Sequence, residues 1–298
     1  MSNKVTIVIP TFNRGDLVCK TIDGALNQTV SCDVIVCDHG SSDNTPEVMQ
    51  KYGDKIKYIR RERDFGPHFC WLEGVLNADT EFVHIHYDDD LIEPAFVEKT
   101  LSLMSDDVGM VVTDAILFNA ITNEIMNPNL FKFEDRFKTG TYEISLLENL
   151  LMKEMQMFSP AICLYRKKEI IDALIPGDLP IDFGGNYHGV GPDLLMSLLV
   201  TLRYKRFGIV TESLTRFGYH DGSITIDASK DKEKQEKLAK GYNAYRKYYL
   251  LLREYVKNEQ LQNKILGINT VKMPWNKKIE RAFKIFFKAI GLRKKEVK

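Results

Sequence analysis

No stretch of this chain approaches the ~20 consecutive apolar residues that a membrane-crossing helix requires. Nor is there a secretory pattern at the start, because the first apolar run, Val5–Pro10, is too short for the core of a signal peptide. CxxC pairs are absent. The five cysteines (Cys19, Cys32, Cys37, Cys70, Cys163) are scattered and odd in number, which excludes both a zinc-type spacing and a secreted disulfide framework. Net charge is absent as well: 41 basic residues balance 41 acidic ones, so no general nucleic-acid surface is expected. Internal repeats and low-complexity tracts are also missing. A cytoplasmic chain is expected, with any membrane contact peripheral.

The neutral total hides one charged end. Between Lys272 and Lys298 ten Lys/Arg stand against two acids, Glu280 and Glu296. Pro274 suits a helix start, and Trp275, Ile279, Ala282, Phe283, Phe286 and Ile290 recur on one face, with cations on the remainder. Such a helix is expected to lie on an anionic membrane surface. Docking on the domain's own core or on a second subunit is the alternative.

What the sequence does contain is an alternation of β-rich runs with helical stripes. Lys4–Ile9, Asp33–Cys37, Ile56–Arg60 and residues 81–87 read as strands, with helices at Leu17–Gln28, from Pro46 to about Tyr52, and over 67–78. This spacing implies parallel strands joined by crossovers. Further strands are expected at Gly109–Phe118 and Phe207–Glu212. Helices are expected at Phe96–Met104, 143–153, 166–174 and Asp193–Leu202, and from Ser229 to about Asn263. The last carries a tyrosine stripe, Tyr242, Tyr245, Tyr248 and Tyr249. Residues 119–142 read as loops with a hairpin.

The run FVHIHYDDDLIEP at 82–94 concentrates the chemistry. A buried strand ends in Asp88, Asp89 and Asp90, and adjacent carboxylates repel unless a cation or solvent screens them. Mg²⁺ or Mn²⁺, hard cations that prefer oxygen, suit such a cluster; a solvated acidic turn is the plainer alternative. Ligands bind open α/β sheets at the C-terminal ends of parallel strands. That edge gathers Pro10-Thr11-Phe12-Asn13-Arg14, Asp38-His39-Gly40-Ser41-Ser42-Asp43, Asp64-Phe65-Gly66-Pro67-His68 and the three aspartates.

In order and spacing, PTFNR, DHGSSD, DFGP and YDDD resemble the inverting nucleotide-sugar glycosyltransferases of family 2, over roughly residues 3–225. The resemblance implies an α/β, GT-A (Rossmann-like) fold: a mostly parallel central sheet flanked by helices, with a C-terminal helical extension. It divides the chain into a GT-A domain at 1–225 and a helical extension at 226–298. Within the domain, about 1–118 would bind the nucleotide sugar and about 119–225 the acceptor.

By the same resemblance Pro10, Thr11 and Asn13 form the first nucleotide-contacting turn, and Asp38 and His39 face base or ribose. His68 and Asp88 line the donor, Asp89 faces the ribose, and Asp90 ligates Mn²⁺ or Mg²⁺. His39 and Tyr87 stand where relatives commonly carry acids, and Pro192 where they carry Glu. Asp193, at the start of an apolar helix, matches the catalytic base, with Asp182 and His188 as the next candidates. Arg216-Phe217-Gly218-Tyr219-His220-Asp221-Gly222-Ser223 resembles the family's closing element, one residue longer than usual. It makes His220 a further metal ligand and Ser223 a phosphate contact. His84 and His86 are expected to be packed or acceptor-side residues.

The implied partners are a nucleotide-sugar donor, most simply a UDP-sugar, and a glycan or lipid-linked glycan acceptor. The implied setting is surface-polysaccharide synthesis at the cytoplasmic face of the inner membrane. Two other classes remain open at this point: a nucleotidyltransferase, disfavoured by the single glycine of Pro10–Gly15, and a non-catalytic scaffold.

Overall fold

The computed structural model describes residues 3–153, 159–174, 179, 190–219 and 231–265, with side chains as far as 258. It divides into two compact units, Met1–Leu250 and Leu251–Lys298. The first carries the sheet and all the chemistry below.

The chain opens with β1 (Val5–Thr11), α1 (Gly15–Leu26), β2 (Asp33–Asp38), α2 (Thr45–Gln50), β3 (Lys57–Arg60), α3 (Pro67–Leu76) and β4 (Phe82–Ile85). There follow β5 (Leu91–Ile92), α4 (Phe96–Leu101), β6 (Val108–Asn119), β7 (Ile125–Asn127), α5 (Phe133–Arg136), β8 (Gly140–Glu143) and α6 (Ile144–Lys153). The remaining elements are β9 (Cys163–Arg166), α7 (Lys167–Ile171), α8 (Pro192–Val200), β10 (Arg206–Tyr219) and α9 (Lys232–Ile265).

Every residue of β1 is buried. A continuous apolar run such as VTIVIPT needs cover on both faces, which is what a parallel strand between helix layers receives. On one face Val18, Ile22 and Ala25 of α1 join Ile7, Ile9, Val34 and Val36 in the main core, with Phe96 and Val97 of α4. Their spacing of four and three places them on one stripe of α1. Main-chain pairing is parallel for β3, β2, β1 and β4, as the alternation of strands and helices predicts.

The sheet order is β3-β2-β1-β4-β9-β6-β10-β5, with β7 on β6 and β8 on β10. The sheet is therefore mixed. β9, unassigned from sequence, is inserted antiparallel between β4 and β6. Four residues ending in a charged Arg166 give little periodicity to read. Arg166 is nonetheless buried: its guanidinium donates to the carbonyls of Val108 (3.0 Å) and Ser105 (2.7 Å), pairs with Glu81, and lies over the Phe82 ring. β10 runs to Tyr219, beyond the expected Glu212, because register shifts around Val210–Thr215 let it stay paired with β6. Residues 125–127 form the expected hairpin with β6.

Candidate active site

The acidic segment follows β4. Asp88 and Asp90 are buried. Thr11, the last residue of β1, donates its hydroxyl to Asp88 Oδ2 at 2.8 Å. Arg14 Nη1 reaches Asp89 Oδ2 at 2.5 Å and Asp88 Oδ1 at 3.3 Å. From beneath, the Thr21 hydroxyl donates to the carbonyls of Asp90 (2.8 Å) and Asp88 (3.1 Å). From the far side, the amide of Gly218 in β10 donates to Asp90 Oδ1 at 3.0 Å. A Cβ on Gly218 would overlap the Asp89 carbonyl oxygen, so only glycine allows this approach.

Burial pushes the Asp88 carboxyl up to about 6, Asp89 adding to this and Arg14 opposing it. Asp90 is held well above the ordinary carboxylate range, first by burial and then by the charge of Asp89. The segment is thus short of positive charge, and Arg14 supplies only part of it. Among the described residues no three His, Cys, Asp or Glu side chains converge as a self-contained metal cage. Oxygen-only donors with an excess of negative charge fit a hard divalent ion completed by ligands from a bound phosphate.

The second wall is the turn after β2. Asp38 is fully buried, and its carboxylate is used within the turn. Oδ1 accepts from the amides of Gly40 (3.0 Å) and Ser41 (2.8 Å) and from the Ser41 hydroxyl (2.6 Å), while Oδ2 accepts from Tyr58 at 2.6 Å. The Asp38 carboxylate thus ties the turn to β3. Asn13, at φ 54, accepts from the amide of Ser42 (2.8 Å) and ties the β1 turn to it. His39 is buried with its Nδ1 2.9 Å from Asp64 Oδ1, near the exposed ring of Phe12. Pro10 lies buried within β1. His68, in the first turn of α3, meets Trp71 edge-on at 5.0 Å, and Trp71 in turn packs against Tyr87.

Asp193 sits in the first turn of α8. Its Oδ1 accepts from the amides of Leu194 (2.8 Å) and Gly191 (3.2 Å), and its Oδ2 accepts from the Tyr242 hydroxyl at 3.0 Å. Burial raises its pKa, and these hydrogen bonds oppose the rise. Tyr87 lies within electrostatic reach of both Asp193 and Asp90, whose charges add to burial in holding its phenol protonated. Tyr87, next to the acidic segment in sequence, thus feels the charge of the lone carboxylate as well.

The structure brings together Thr11, Asn13, Asp38, His39 and Asp88–Asp90, as the sheet-edge rule requires. Asp182, His188, His220 and Ser223 lie outside the described residues, as does the tail 272–298. His84 and His86 are packed. His84 bonds the Cys163 carbonyl (2.9 Å) and His86 (3.1 Å), rests on the Phe96 ring, and is pushed down to about 4 by burial. Sequence reasoning gave no role to Arg14, Tyr58, Asp64 or Tyr242, although Asp64 stood in the segment gathered at the ligand edge. Arg14 stood inside the quoted PTFNR motif, and Tyr242 in the tyrosine stripe.

Residues 6–172 match the profile of glycosyl transferase family 2. The chain belongs to that family. Among curated relatives, an uncharacterized glycosyltransferase of Rickettsia typhi is 28% identical over 173 residues, covering 56% of this chain and 53% of that protein. Chondroitin synthase of Pasteurella multocida is 32% identical over 114 residues, which cover 36% of this chain and 12% of the synthase. The chain thus spans about half of the first relative and a small part of the second. S. aureus TarS 1–349 in complex with UDP-GlcNAc shares the fold at a TM-score of 0.57 and 16% identity, over 81% of this chain and 72% of that one. The mixed α/β sheet is accordingly that of a GT-A glycosyltransferase.

Proposed function

We propose that this family 2 glycosyltransferase moves a sugar with inversion from a UDP-sugar to a hydroxyl of a glycan or lipid-linked glycan, with Asp193 as base and a divalent ion at Asp90. The observation that carries the reading is a half-buried carboxylate of raised pKa at the start of α8, whose charge is felt at Tyr87 together with that of Asp90. A base needs more affinity for a proton than an ordinary carboxylate has, and burial moves Asp193 in that direction.

In this reading Asp193 takes the proton of the acceptor hydroxyl as its oxygen bonds to the anomeric carbon and the bond to UDP breaks. Asp90, with Asp89 beside it, would hold Mn²⁺ or Mg²⁺, which when bound acts as Lewis acid toward the departing diphosphate. Arg14 keeps Asp88 and Asp89 in place.

In this reading His39 would favour uracil as the base. The carboxylate of Asp64 can only accept, so the tautomer that fits this contact carries its hydrogen on Nδ1. Nε2 is left as an acceptor, which suits the N3–H of uracil and not the lone pair at N3 of cytosine. TarS has been crystallised with UDP and with UDP-GlcNAc, which supports the same donor class.

No helix among the described residues is long and apolar enough to cross a membrane. The basic amphipathic tail at 272–298 suits peripheral contact with an anionic bilayer, at the cytoplasmic face of the inner membrane where lipid-linked glycans of surface-polysaccharide synthesis would be met. Deleting 272–298 should release the protein from phosphatidylglycerol vesicles; binding undiminished by the deletion overturns the membrane assignment. The catalytic reading is tested by Mn²⁺-dependent release of UDP from a panel of UDP-sugars. Asp193→Asn should abolish release and keep UDP binding, and turnover by that variant would exclude Asp193 as base.

A further inference from the structure

The long helix α9 and Asp193 both lie beyond the matched family segment, which ends at residue 172, and the two are in contact. Tyr242, Tyr245 and Tyr249 are spaced three and four apart, so they share one helix face. Each meets α8 or its approach. The Tyr245 ring covers Gly191, which holds φ +111 and whose Cβ, if present, would overlap that ring. Tyr249 is fully buried, its hydroxyl 2.8 Å from Thr201 Oγ1 just past the end of α8. Tyr242 reaches Asp193 Oδ2 at 3.0 Å.

The first two contacts fasten α9 to α8, one by packing and one by a hydrogen bond, and the third falls on the proposed base. The amides of Gly191 and Leu194 grip only Oδ1 of Asp193. Because the carboxyl torsion of aspartate is broad and two-fold, an Oδ1 anchor alone leaves Oδ2 free to swing. A phenol on Oδ2 removes that freedom and still leaves this oxygen a lone pair. Burial and the charge of Asp193 keep the phenol protonated, so it remains a donor.

We infer that Tyr242 is a positioning residue for the catalytic base, fixing the plane of the Asp193 carboxylate so that Oδ2 meets the acceptor hydroxyl. α9 is thereby a working part of the active site. The inference rests on Asp193 being the base.

The test follows UDP release from one UDP-sugar with Mn²⁺ across pH, using the full chain and its Y242F, Y249F and D193N variants, with thermal melting as the check on folding. Y242F should lower kcat about tenfold with an unchanged KM for the sugar donor. Its acid limb should move to higher pH, because the ionised carboxylate has lost a donor. Replacing Tyr242 by 3-fluorotyrosine, a stronger donor of nearly the same shape, should move that limb the opposite way. Y249F should leave the limb in place. An unmoved limb in both Tyr242 replacements, with D193N inactive, overturns the role of Tyr242 alone. Turnover by D193N overturns the base reading itself, and the two failures are therefore distinguishable.

Discussion

Arg14 Nη1 stands 2.5 Å from Asp89 Oδ2, and the same nitrogen touches Asp88. One guanidinium from the turn after β1 therefore serves two of three consecutive acids after β4. Both partners are largely shielded from water, so the pair is worth more than a surface ion pair and its loss strands negative charge.

Arg14→Met should accordingly lower stability by about 2 kcal/mol near neutral pH, below the range for fully buried pairs because Arg14 is partly exposed. Urea unfolding would measure it. The loss should shrink near pH 5, where Asp88, titrating at about 6, is mostly protonated.

Proton linkage gives a second expectation. Asp88 is raised from 3.8 to about 6 in the folded chain, so the native state binds this proton more tightly than the unfolded state. Its stabilising contribution is complete below the unfolded value of 3.8 and disappears as pH rises through about 6. A divalent ion with UDP should restore the lost stability where the acids are charged. The rise in melting temperature on adding Mn²⁺ and UDP should therefore be larger at about pH 7.5 than at about pH 5. Asp90→Ala should remove the part that depends on Mn²⁺, and an equal rise in that variant would exclude Asp90 as ligand.

Asp38→Ala would leave two amides, the Ser41 hydroxyl and the Tyr58 phenol without their shared acceptor. A cost of about 3 kcal/mol is expected by denaturant unfolding, because unsatisfied buried donors lose their full solvation. UDP affinity should fall with it, since this turn anchors Asn13 as well.

His39 and Asp64 act as a pair in the proposed base contact. His39→Ala should weaken UDP binding about tenfold, and Asp64→Asn should erode the preference for UDP over CDP, since an amide can either donate or accept. Titration calorimetry with the two diphosphates measures both. Equal binding of UDP and CDP by the unaltered chain would remove His39 from base selection.

The parallel half of the sheet was legible in the sequence because period and punctuation agree there. Val5–Thr11, Asp33–Asp38 and Phe82–Ile85 are apolar runs that stop at polar turns, and Val18, Ile22 and Ala25 repeat at helical spacing. β9 was not legible: its pairing is set by neighbours far along the chain, and its buried arginine contradicts the usual pattern. The acidic segment announced itself by composition, but its arginine partner depends on β1 and β4 being adjacent. Tyr242 was visible only as a member of a stripe. That its hydroxyl meets Asp193, 49 residues earlier, is a fact of packing alone.

The insertion of β9 has a consequence for biosynthesis. β4 and β6 each bond to it, one on either flank, yet it is translated some forty residues after β6 ends. At ribosomal speeds that delay is on the order of a few seconds. During it the nascent first half leaves bare the margins of β4 and β6 that β9 will cover, the kind of surface that recruits foreign β-structure. A fragment ending near residue 118 should for the same reason precipitate rather than persist as a soluble half-enzyme.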